Sequence, residues 1–207
     1  RAALKRVKVD GAPGTDAAWQ EALRPAAGAD GRRTVYLDRA ERQRLLAAMA
    51  PDAQAFFRAM CMLPLRPGAL AGLKVADFDK RMGTLTVGAD KNGRPRQMSL
   101  PANICTFLAN QSKSKLPAAS LFTMADGRPW TREKWQDPIR EAREAAQLPL
   151  GTTAYVLRHC VLTDLVVGGV PLLTVAQLAD TSVAMIERHY GHLTAAAARD
   201  ALAKLAL

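Results

Sequence analysis

Apolar residues recur at helical spacing along most of this chain and give way only once to strand-like alternation. The regular part opens with TVYLDRAERQRLLAAM. Asp38 and Glu41 form a capping-box arrangement there, and Leu37 is placed to staple onto the apolar face that follows. Pro51 opens a second helix, DAQAFFRAMCML, which stops at Pro64 because proline cannot continue the backbone ladder. GTLTVG and RQMSL then read as strands on either side of Asp90-Lys91-Asn92-Gly93, whose Asn-Gly pair favours a tight hairpin. Pro101 starts the helix ANICTFLANQSK, and a loop carrying LFTMADGRPW follows it. Thr131 is placed to cap a long helix over 132–147, with Glu133 in its first turn. A helix over 155–167 ends at Gly168-Gly169, another runs from Pro171 through Leu178, and a short one covers 185–190. An Ala-rich helix closes the chain. The predicted class is mostly α with a small antiparallel β-sheet.

Residues 1–33 break this pattern with Gly11, Pro13, Gly14, Gly28 and Gly31. They read as a linker and the tail of a preceding domain, with a short helix over 16–24 anchored by Trp19 and Leu23. The domain proper is then 34–207. RAALKRVKVDG lacks the apolar stretch of a secretory signal, and no apolar run reaches the roughly 18 residues needed to span a bilayer. Cys61, Cys105 and Cys160 are odd in number, far apart and set in apolar stretches, which predicts reduced, buried thiols and a cytoplasmic protein.

Charge narrows the partner. Lys and Arg number 29 against 19 Asp and Glu, a formal net charge of +10. Such an excess suits a polyanion, because neutralised phosphates release condensed counterions. The carboxylates are scattered, which argues against a two-metal nuclease, and His159, His189, His192 and Cys160 fit no standard zinc spacing. No metal or cofactor is expected. Trp19, Trp130 and Trp135 read as packing anchors.

Three segments carry polar groups where burial or a turn would fix them. Arg66 precedes Pro67-Gly68, so it stands at the mouth of a helix. Lys91 stands at the hairpin tip, with Arg94 and Arg96 on the strand after it. Arg158 lies inside the apolar run YVLRHCVLTDLVV, a costly position unless something anionic meets it. Tyr190 follows in ERHYGHL.

In this order, LRPGALAGLKVADFD, KNGRPRQMSL and YVLRHCVLTDLVVGGVPLLTVAQLADTSVAMIERHYGHL resemble the boxes of the tyrosine recombinase (phage integrase) family. The likeness spans about 32–193, and 1–26 resembles the last helix of that family's core-binding domain. It implies the catalytic-domain fold of the DNA breaking-rejoining enzymes and site-specific recombination of double-stranded DNA. Arg66 and Arg158 would hold the scissile phosphate. Tyr190 would attack it to form a 3′-phosphotyrosyl enzyme, and Lys91 would protonate the leaving 5′-oxygen. Arg94 and Arg96 would add backbone contacts. Planar, permanently charged guanidinium forks suit this work, and the tyrosyl ester conserves the bond energy without ATP or metal. The resemblance also implies a tetramer on DNA, with 195–205 packing on a neighbour.

Three positions depart from the family pattern. Ala69 stands where the family often has Glu, while Tyr155 and Asp180 stand at its histidine positions. A carboxylate at 180 repels a phosphate unless it is protonated or turned to an arginine. Two alternatives therefore stay open beside an active recombinase. One is a DNA-binding relative with weak or lost cleavage. The other is a helical protein–protein module whose basic surface serves solubility.

Overall fold

The computed structural model of the chain describes residues 35–88, 95–194 and Ala203. The expectations for 1–33, for the hairpin tip with Lys91 and Arg94, and for the helix over 195–205 lie outside the described residues.

Capping sets the first helix. In α1 (Arg39–Ala47), Glu41 N–H donates to Asp38 Oδ1 at 2.7 Å and Asp38 N–H donates to Glu41 Oε2 at 2.9 Å, so both halves of the capping box form. Just before it, Leu37 is fully buried and its N–H donates to Cys160 Sγ at 3.2 Å. Arg42 of α1 pairs with Asp164 at 2.8 Å, and the Tyr36 hydroxyl donates to the same carboxylate at 2.7 Å. Helix α2 (Pro51–Met62) carries proline at its first position and buries Phe56, Phe57 and Met60. Next come the short α3 (Pro67–Ala71), a 3-10 turn (Val75–Asp77), β1 (Phe78–Asp79), β2 (Thr84–Val87), β3 (Arg96–Ser99) and α4 (Ala102–Ser112).

The strands form one antiparallel sheet in the order β1-β2-β3, with Phe78 opposite Leu85, Leu85 opposite Met98 and Val87 opposite Arg96. Leu85, Val87 and Met98 point to the core, so Arg96 is held at a fixed register opposite Val87. Strand β1 goes beyond the two strands expected from sequence. At two residues it is too short to show the alternation by which strands are read.

The C-terminal half is helical: α5 (Gln136–Ala145), α6 (Ala154–Val167), α7 (Leu172–Ala179), α8 (Val183–Tyr190) and a 3-10 turn (Gly191–Thr194). Helix α5 begins four residues later than expected, and Thr131 does not cap it. A helix from 132 would bring Pro138 into its interior, against the carbonyl of Lys134. Starting at Gln136 puts Pro138 in the first turn, where no intrahelical N–H is required. The Lys134 and Trp135 amides instead donate to Thr131 O at 3.1 and 3.2 Å, closing a turn. Helix α6 ends as expected. Gly169 takes φ +80°, its N–H donates to Val166 O, and Val170 N–H reaches Leu165 O.

Among the described residues, two apolar clusters form. The larger gathers α1, α2, the sheet, α4, α5 and the first half of α6 around Phe56, which stacks on Trp130 and Trp135 at centroid distances of 5.3 and 5.8 Å. The smaller joins Leu162 and Val166 of α6 to Val175, Ala176, Ala179, Ile186 and Tyr190. Helix α6 serves both, which is why it is apolar on nearly every side. Of the cysteines expected to be buried, only Cys160 is fully so. Cys61 and Cys105 are half-buried, Cys61 lying just off the stripe of Phe56, Phe57 and Met60. Among the described residues, no helix is long and apolar enough to cross a membrane.

Phe56→Ala should lower the unfolding free energy by about 3–5 kcal/mol in urea titrations, because it leaves a hole under both indoles. Burial pushes the Cys61 thiol from its usual value near 9 up to about 12. Native Cys61 should therefore react with iodoacetamide at pH 8 at least tenfold more slowly than in the unfolded chain. The unfolding free energy should also fall as pH rises above about 9, where the unfolded thiol ionises and the folded one does not.

Candidate active site

The smaller cluster and the start of α3 meet at the C-terminal end of α7. Pro67 fixes the start of α3, and Arg66 is its N-cap residue, with extended backbone. Arg66 Nη1 pairs with the Asp180 carboxylate, and Arg66 Nη2 donates to the Asp180 carbonyl at 2.7 Å. Arg158 rises from the middle of α6 and is only 8% exposed. Its Nη1 donates to Pro64 O and its Nη2 to Ala179 O at 2.6 Å. Arg96 reaches over from β3, with Nη1 at 3.5 Å from Gln177 O and 3.8 Å from Asp180 Oδ1. Three guanidinium groups from three separate elements thus converge on residues 177–180.

The local reason is the ending of α7. Asp180 adopts a left-handed conformation (φ 53°, ψ 60°); its N–H donates to Gln177 O, and Thr181 N–H reaches Ala176 O at 3.0 Å. This is the closing motif that Gly169 makes at the end of α6, here formed by an aspartate, one of the few other residue types that tolerate the conformation. The turn places the carbonyls of residues 177, 179 and 180 within reach of the arginine donors at the negative end of the helix dipole. Asp180 adds a full negative charge beside them. It is therefore turned to the arginines, one of the two arrangements under which a carboxylate fits at this position.

Arg158 shows how closely the charges are grouped. Its affinity for a proton is lowered to about 10, first by burial and then by the charge of Arg66; Arg96 lowers it further, while Tyr190 and Asp180 raise it. Tyr190, the last residue of α8, is 7% exposed and packs in the smaller cluster. Its hydroxyl lies 2.9 Å from His159 Nδ1, with the rings 5.2 Å apart and tilted by 32°. His159 is the site residue that sequence reading weighed only as a metal ligand. Its partner lies 31 positions away, so no local spacing marks it.

The sequence-derived set is therefore partly assembled. Arg66, Arg158, Asp180 and Tyr190 lie within one electrostatic neighbourhood, together with Arg96. Tyr155, one turn before Arg158, is exposed and borders a cleft against α5. Lys91 and Arg94 lie outside the described residues. Among the described residues, no three His, Cys, Asp or Glu side chains gather as a metal site.

The sequence matches the profile of the phage integrase family over residues 35–197. No curated protein matches the chain. Among solved structures, the fold is similar to that of XerA recombinase (TM-score 0.65, 21% identity, covering 90% of this chain and 70% of that one). It is also similar to the Tn1549 transposon integrase in complex with transposon right end DNA (0.74, 17%, 99% and 83%) and to the catalytic domain of bacteriophage HP1 integrase (0.62, 19%, 82% and 94%). At these identities the likeness shows the fold, and the profile, which spans most of the chain and every box described above, shows the descent: the chain belongs to the phage integrase family of tyrosine recombinases.

Proposed function

We propose that this domain cuts and rejoins double-stranded DNA at specific sites, with Tyr190 as nucleophile and no metal or cofactor. The observation that carries the reading is the convergence of Arg66, Arg96 and Arg158 on residues 177–180, within electrostatic reach of Tyr190. The phosphodiester enters where the Asp180 carboxylate now takes the charge of Arg66. The guanidinium forks hold its non-bridging oxygens and bind harder as attack adds charge to them. Tyr190 Oη forms the bond to phosphorus and passes its proton to His159 Nδ1, in the tautomer that leaves that nitrogen free to accept. The bond from phosphorus to the 5′-oxygen breaks, and Lys91 protonates that oxygen. Rejoining is the reverse, with a 5′-hydroxyl attacking the tyrosyl ester. Tyr155 and Arg94 are proposed to touch the DNA backbone. Four chains assemble on DNA in this reading, each passing the segment 195–205 to a neighbour, in a cytoplasmic, nucleoid-bound setting. Residues 1–33 belong with a preceding DNA-clasping domain.

A second reading is favoured by one contact. Asp180 occupies Arg66 through both its carboxylate and its carbonyl, so a phosphate must displace an internal anion. A domain of this kind binds DNA yet cleaves it slowly.

A nicked duplex bearing the attachment site, which releases a short fragment on cleavage, separates the readings. Wild-type protein should accumulate a covalent adduct that Tyr190→Phe abolishes, and His159→Ala should slow its formation by about a hundredfold. Binding without adduct in the wild type, with adduct appearing in Asp180→Asn, supports the slow-cleaving reading. An adduct that persists in Tyr190→Phe rules out the assigned nucleophile.

A further inference from the structure

Between α5 and the first turn of α6 lies an open cleft that none of Arg66, Arg158, Asp180 or Tyr190 borders. Among the described residues, its lining includes Arg132, Arg140 and Arg143 and no carboxylate. Arg143 is largely buried and held by two bonds, Nη1 to Leu150 O at 2.8 Å and Nη2 to Glu144 at 2.7 Å, while its buried Nε has no partner among the described residues. Arg140 pairs with the exposed Asp137 at 2.8 Å. Thr152, which also lines the cleft, is 1% exposed, and its buried hydroxyl has no partner among the described residues. Thr153 then starts the fourteen-residue α6 without a side-chain cap. Two buried, unsatisfied polar atoms in one cleft are uncommon in a folded protein. Here both residues line the cleft together with Thr153 and Ala154, at the positive end of a long helix, where unpaired amides and the dipole favour an anion.

We propose that this cleft is a second anion site and that its ligand is a DNA backbone phosphate near the one held by Arg158. The proposal rests on the DNA-cleaving reading above. Its geometric basis is α6, which carries both sites: Ala154 and Arg158 are about 6 Å apart along the helix axis. A duplex strand carries a phosphate every 3.4 Å or so of its axis. In the proposed pose the strand runs alongside α6, so that a phosphate one or two nucleotides from the one at Arg158 faces Thr152, Arg143 and the first turn of α6. Tyr155, on that turn, borders the same cleft and adds a phenol to its wall.

The test uses the full chain, a labelled duplex and inorganic phosphate. Thr152→Val removes an unsatisfied hydroxyl, so the melting temperature should hold or rise while duplex affinity falls about tenfold. Arg140→Gln should reduce the slope of log affinity against log salt by about 0.9, the loss of one phosphate contact. In the wild type, the Arg143 Nε–H and Ala154 amide resonances should move on adding duplex. Duplex binding equal to wild type in both variants overturns the proposal and leaves the recombinase reading standing. Resonances that move with inorganic phosphate but not with duplex overturn the DNA assignment, and resonances that move with neither overturn the site. A wild-type chain that binds no duplex at low salt overturns both readings together.

Discussion

The two hydrogen bonds of Arg158 hold the candidate site and the fold together. A guanidinium at 8% exposure is costly unless its donors are met, and here they are met by Pro64 O and Ala179 O. Pro64 directly precedes the segment that presents Arg66, and Ala179 ends the helix that presents Asp180. One side chain therefore fixes the approach of α3 and of α7 to the middle of α6. It also sits where α6 passes from the larger apolar cluster to the smaller, which contains Tyr190. The charge that would bind a phosphate is in place because the fold needs it there.

From that strut follows the electrostatic character of the site. Three arginines held close together repel one another, and Arg66 and Arg96 lower the proton affinity of Arg158 beyond the effect of burial. What offsets the repulsion is the end of α7: three carbonyls and one carboxylate. The left-handed backbone of Asp180 lets a single residue offer both its carbonyl and its carboxylate to Arg66. The Asp180 carboxylate thus balances the site from within the chain. Under the proposed function, binding DNA is an exchange of one anion for another, governed by how readily Asp180 yields.

Much of this could be read from the residues. Asp38 and Glu41, Pro51, Pro67 and Gly169 each specify local backbone by a mechanism that needs only near neighbours, and each element stands where those residues put it. Pro138 carried the same kind of information about the start of α5, but the cap offered by Thr131 outweighed it in the reading of the sequence. The unread features depend on distant partners. The contact between His159 and Tyr190 spans 31 positions, the pairing of Arg66 with Asp180 spans 114, and Arg96 joins the site only because sheet register brings it there. Asp180 read as a defect, since position alone gives a charge and not its direction. The two unsatisfied atoms near the start of α6 left no trace in the pattern, because satisfaction is a property of packing.

Hydrogen exchange on Arg158→Lys tests the claim for Arg158 most directly. Lysine keeps the charge and loses the fork that spans two carbonyls. The amides of α7 and α8 should then exchange about tenfold or more faster, while those of α2 and α4 keep their protection. Unchanged protection in α7 and α8, or an equal loss across all four helices, would contradict the account.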